Sequence, residues 1–80
     1  MKRFVQYIPE IEGCYGMRVW VPTSDNDLHA FIKPICLWGS YTDCRKTCDG
    51  YEVLYELPHG ITNNFLWRLA CERLNIEFVR

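Results

Sequence analysis

Between Ile61 and Asn75 the apolar positions 65, 66, 67, 69, 70, 71 and 74 are set against Asn64, Arg68, Glu72 and Asn75, which recur at spacings of three and four. That period predicts a helix with a narrow polar stripe, and the rest of the chain is expected to pack around it. Thr62 is the expected N-cap, because its hydroxyl can accept from a free backbone N–H of the first turn. Ile61 and Leu66 are placed to form a hydrophobic staple. Asn75 is expected to take the left-handed conformation that ends a helix, with Ile76 folding back on Cys71. A helix with so little polar surface must be covered by something.

The remaining pattern predicts strands. Residues 2–8 are rich in β-formers and read as a first strand, ended by Pro9. Pro9 to Gly13 reads as a turn. Cys14 to Val21 alternates, with Met17, Val19 and Val21 on one face and Gly16, Arg18 and Trp20 on the other. The short spacing predicts an antiparallel hairpin of these two strands. Pro22 to Asp27 is a loop of residues that bond their own backbone. Leu28 to Ile32 reads as a third strand, and Gly39 to Gly50 as a long polar connection, part of it a short helical turn. Tyr51 to Leu57 alternates again, with Tyr51, Val53, Tyr55 and Leu57 on one side and Glu52, Leu54 and Glu56 on the other. Ile76 to Val79 is a short last strand that needs an existing sheet.

The order β-β-β-β-α-β predicts an α+β fold. Residues 1–80 form one compact domain, a small antiparallel sheet of four to five strands with one helix packed on one face. Met17, Val19 and Val21, with positions like Phe4 and Ile8, are expected to bury against Phe65, Leu66, Leu69 and Ala70. The opposite face is expected to carry Arg18, Trp20, Glu52 and Glu56.

Composition narrows the function classes. The chain is 49% apolar, enough for a core, and carries nine basic against ten acidic side chains. That balance supplies neither a basic surface for nucleic acid nor an acidic one. No run approaches the ~20 apolar residues of a membrane span, and no apolar segment follows Lys2 and Arg3 as a secretory leader requires. The expected setting is the cytoplasm, where five cysteines stay thiols. Met1 fits a complete product.

The reactive residues are scattered. Cys36, Cys44, Cys48 and His59 are ligand types for zinc, which gives one alternative, a zinc-stabilised adaptor domain. No C-x-x-C knuckle supports it, so neither a metal nor any other cofactor is expected. Cys14, Cys36 and Cys71 lie in apolar segments and read as small buried hydrophobes. Cys44 and Cys48 would be neighbours in a helical turn but ~13 Å apart, too far to bridge, in extended chain. A thiolate pairing Cys44 or Cys48 with His29 or His59 has no local signature. The carboxylate pairs Glu52/Glu56 and Asp25/Asp27 fall in segments that read as solvated. No phosphate loop or hydrolase motif occurs. An enzyme is not expected, and no catalytic residue is assigned.

Surface recognition is left. Three tryptophans and five tyrosines exceed what one helix and one sheet face can cover, and Trp, Tyr and Arg are enriched where proteins meet. The expected function is a small non-enzymatic protein-binding module. Its expected contact residues are Trp38, Tyr41, Arg45, Lys46 and Tyr51, around the loop Ser40 to Asp49. Homodimerisation through an edge strand or the open sheet face is a further possibility. The other alternative is a single-strand nucleic-acid binder, stacking bases on those aromatics beside Arg45 and Lys46. In size and lack of motifs the chain is similar to the small bacteriophage proteins that inhibit host defence or host machinery, anti-CRISPR proteins among them. That class-level likeness implies an inhibitor acting in the host cytoplasm.

Overall fold

The computed structural model describes residues 3–8 and 16–79. Cys14 and the expected turn from Pro9 to Gly13 lie outside the described residues. Strand β1 is Arg3–Ile8 and β2 is Gly16–Pro22. They pair antiparallel, with Tyr7 opposite Val19 and Ile8 opposite Arg18, as expected from their short separation. β2 continues antiparallel onto β4, Gly50–Pro58. Here Met17 faces Leu57, Val19 faces Tyr55 and Val21 faces Val53 on one side. Arg18 faces Glu56 and Trp20 faces Leu54 on the other. At Gly16 the two strands come so close that an added Cβ would lie 1.6 Å from the Leu57 carbonyl oxygen.

Three segments differ from expectation. Leu28 to Ile32 is not a strand but the end of helix α1, Asn26–Ile32. Asp25 caps it, its Oδ1 accepting from the Leu28 N–H at 3.3 Å, and Asp27 sits in the first turn, where a negative charge suits the helix dipole. Leu28 and Ile32, four apart, are both buried. In a segment so short, the apolar run of a strand and the i, i+4 stripe of a helix look alike. The cap decides between them. Arg3 reinforces the cap by donating to Asp25 Oδ1 and Asp27 Oδ2, each at 3.1 Å, which ties β1 to the start of α1.

The polar connection Gly39 to Gly50 holds a strand rather than a helical turn: β3, Asp43–Thr47, pairs antiparallel with β4. Cys48 and Asp49 turn the hairpin, and Gly50 takes φ 139°, open to glycine at little cost. β3 is an edge strand with no apolar alternation, and charged side chains are usual on such an edge. Ahead of it, the Leu37 and Thr42 N–H groups donate to the carbonyls of Glu56 and Leu54 at 2.8 and 2.7 Å. The chain from 37 to 42 thus lines the part of β4 that β3 does not reach.

The expected C-terminal helix starts later than predicted. Ile61–Asn63 is a single 3-10 turn, and α2 runs Phe65–Arg73. Asn64 rather than Thr62 is the N-cap, with Oδ1 accepting from the N–H groups of Leu66 and Trp67 at 2.9 and 3.2 Å. Asn75 takes φ 57°, the left-handed stop read from the sequence. β5, Ile76–Val79, then pairs with β1 in parallel, Arg3 opposite Ile76 and Gln6 opposite Val79.

The fold is α+β, as expected, but its order is β-β-α-β-β-α-β and its sheet is mixed, β3-β4-β2-β1-β5. Both helices lie on the face of Met17, Val19, Val21, Val53, Tyr55 and Leu57. On the β4 side, α1 sets His29 against Tyr55, ring centroids 5.5 Å apart. Towards β5, Trp67 of α2 stacks on Phe78 at 5.4 Å, and Phe31 of α1 meets Trp67 at 5.0 Å. Because α1 covers part of the sheet and α2 starts at Phe65, the helix face expected to be buried is turned outward. Trp67 and Cys71 are buried, whereas Phe65, Leu66 and Leu69 are exposed. No helix among the described residues is long and apolar enough to cross a membrane.

Candidate functional site

The five expected contact residues do not share one surface. Alternation along β3 separates Arg45, opposite Glu52, from Lys46, opposite Tyr51. Trp38 and Arg45 belong to the sheet face without helices. Tyr41 and Tyr51 line a cleft on the helical side, and Lys46 shares the side of Tyr51. Trp38, Tyr41 and Tyr51 are all more than half exposed, at 56%, 54% and 54%.

On the helix-free face Arg45 is held in place. It donates to Glu52 Oε1 at 2.8 Å and to Gln6 Oε1, and its guanidinium lies 4.0 Å from the centre of the Trp20 ring. Its charge is already paired with the Glu52 carboxylate. Behind it, Trp38 Nε1 donates to Glu56 Oε2 at 3.4 Å. Glu56 is buried, and its Oε1 has no hydrogen-bond partner among the described residues.

The cleft on the other side lies between α1 and the β3–β4 hairpin and has a volume of about 530 Å³. Tyr55 and His29 form its floor. His29 Nε2 lies 2.9 Å from the Pro22 carbonyl oxygen, which can only accept, so Nε2 carries the proton. Nδ1 then accepts from the Tyr55 hydroxyl at 2.7 Å. Burial, with smaller contributions from Cys36 and Tyr41, pushes the Tyr55 phenol above its ordinary value of 10.0. Its proton is therefore held. Cys44 also lines the cleft and is an exposed free thiol. Since both His29 nitrogens are engaged, neither Cys44 nor Cys48 forms the thiol–imidazole hydrogen bond considered from the sequence for His29.

Cys36 and Cys71 are buried thiols. Cys36 is buried, with its thiol donating to the Lys33 carbonyl at 3.2 Å. Burial raises the Cys71 thiol from 9.0 to about 11. Cys36, Cys44, Cys48 and His59 are not brought together as a zinc set: no group of three or more metal-ligating side chains occurs among the described residues. Cys44 lies in β3 and Cys48 in the turn that follows it, and both are exposed free thiols.

A further surface, not assigned from the sequence, is the outer side of α2. Phe65 is 74% and Leu66 71% exposed, and Leu69 stands one turn on. Beside them the two helices leave a groove in two parts, of about 410 and 350 Å³, which share Phe31 and Ala70. Its more apolar part is walled by Phe31, Ile35, Ile61, Leu66, Trp67 and Ala70. The excess of apolar residues in this helix is the signal for that surface, but nothing in the linear pattern shows that a second helix takes the cover expected for it. Neither a protein-family model, nor a characterised protein, nor a solved structure matches this chain.

Proposed function

We propose that this protein is a non-enzymatic protein-binding module, and that its main contact is the exposed side of α2 with the adjoining groove. The observation that carries the reading is the exposure of Phe65, Leu66 and Leu69 on successive turns of a helix whose opposite side is packed. Contiguous apolar surface on a small domain marks a place where another protein sits. An apolar helix side next to a groove also provides the anchors that partner proteins bury most effectively. A second contact runs along the β3 edge. A partner gripping that edge meets Trp38 and Arg45 on one face and Tyr41, Lys46 and Tyr51 on the other.

The nucleic-acid alternative is weaker on this geometry. Its aromatics are divided between two faces, and Arg45 is engaged by Glu52, Gln6 and Trp20. The narrower form of the protein-binding reading is a phage-type inhibitor of a host protein in the cytoplasm. It rests on chain size and on the lack of catalytic motifs.

The test compares the wild-type chain with Phe65→Asp/Leu66→Glu. Both positions are exposed, and acidic residues suit a helix's first turn, so the fold is expected to hold. A partner retained by the wild-type chain at micromolar concentration, largely independent of salt, should bind the double variant at least about tenfold more weakly. If the α2 face instead joins two copies, sedimentation will give a dimer that the double variant dissociates. Equal retention by both proteins removes α2 as the contact, and a monomer that retains nothing removes the reading.

A further inference from the structure

We infer that the cleft between α1 and the β3–β4 hairpin is a binding site for a small aromatic anion, separate from the α2 contact. At about 530 Å³ it falls within the size range of small-ligand sites. Its character differs from that of the groove between the helices, whose lining includes both Asp27 and Arg73. Among the described residues that line the cleft there is one cation, Lys33, and no carboxylate. Lys46, opposite Tyr51, adds a second positive charge to the same side of the sheet. An anion entering here meets a lysine and no carboxylate in the lining.

The aromatic half of the inference comes from the tyrosines. Tyr55 is buried in the floor, and its hydroxyl is committed to His29, whose other nitrogen is committed to Pro22. The floor is thus a fixed, uncharged ring surface rather than a set of loose donors. Tyr41 and Tyr51 stand at the rim, each about half exposed, and both can close over a planar group. Asn26 and Ser40 supply polar groups for the ligand's edge. Rings for a planar body, with a cation and no carboxylate for its charge, select an aromatic carboxylate or a chemically similar ligand over neutral or cationic ones.

The probe is 2-naphthoate, with 2-naphthamide as its neutral counterpart, titrated into the full chain by 15N-resolved NMR. Naphthoate should shift the amide resonances of Ser40, Tyr41 and Tyr51 and bind roughly 3–10-fold more tightly than the amide. Lys33→Gln/Lys46→Gln should abolish that preference, and Tyr41→Ala should weaken both compounds. Phe65→Asp/Leu66→Glu should leave naphthoate binding unchanged, which separates this site from the α2 surface. Equal affinity for acid and amide, shifts centred on Leu66 and Leu69, or saturation with no shift in the cleft would each overturn the inference.

Discussion

The Tyr55 hydroxyl donates to His29 Nδ1 across 2.7 Å, joining the middle of β4 to α1 through two side chains. The bond fixes the imidazole tautomer, because Nε2–H is directed at the Pro22 carbonyl. It also joins two of the elements that line the cleft, α1 and β4. Tyr55→Phe keeps the ring and deletes the donor, leaving Nδ1 without its partner. The expected cost is roughly 1–2 kcal/mol of unfolding free energy, read from urea denaturation. An unchanged midpoint would show that the bond contributes nothing to stability.

The two sides of α2 should respond differently to truncation. Trp67 is buried between Phe31 and Phe78, so Trp67→Ala should cost about 3–5 kcal/mol. Leu66, its neighbour, is exposed, and Leu66→Ala should stay within about 0.5 kcal/mol. Thermal denaturation of the two variants checks this. Similar losses would mean that the outer side of α2 is packed after all.

Alkaline pH should weaken the fold through Cys71. Burial raises its thiol from 9.0 to about 11, so the folded chain keeps a proton that the unfolded chain gives up. The stabilisation is complete below pH 9 and is lost as pH rises towards 11. Tyr55, raised by burial as well, adds to the loss in the same direction. Cys71→Ala should have lower stability at neutral pH but a shallower decline above pH 9. Parallel pH profiles for the variant and the wild-type chain would exclude Cys71 as the source.

Gly16→Ala tests the closeness of β2 and β4. The new methyl would collide with backbone, the Leu57 carbonyl, rather than with a side chain able to swing away. The expected loss is about 2–4 kcal/mol. In a domain of this size that lowers the melting temperature by about 10 °C or more. A melting temperature within two degrees or so of wild type would mean that the strands separate there at little cost.

What could be read from the sequence follows the strength of each local signal. β2 and β4 alternate cleanly over residues that become the middle of the sheet, and Met17, Val19, Val21, Val53, Tyr55 and Leu57 are buried as expected; the opposite face, expected to be open, buries Trp20, Leu54 and Glu56 as well, while Tyr51 is exposed. Asn75 as a helix stop was equally clear. α1 was missed because seven residues give less than two full periods, so Leu28 and Ile32 fit a strand as well as a helix. β3 was missed because an edge strand of charged residues carries no apolar pattern. That omission also limited the candidate site. As loop residues, Arg45 and Lys46 would share a surface. A strand sends neighbouring side chains to opposite faces, and this divides the five expected contact residues. The cleft depends on α1 and β3 together, so nothing in the linear pattern announced it.

β1 has β2 on one side and, on the other, a parallel partner formed by residues 76–79. During synthesis β1 leaves the ribosome well before β5 and must therefore wait for it before its outer edge is sealed. The hairpin of β1 and β2 can form early, but its open edge remains available to any passing strand in the interval. A cell that makes this protein quickly should see more of it aggregate than a cell that makes it slowly, even though the finished chain is the same in both.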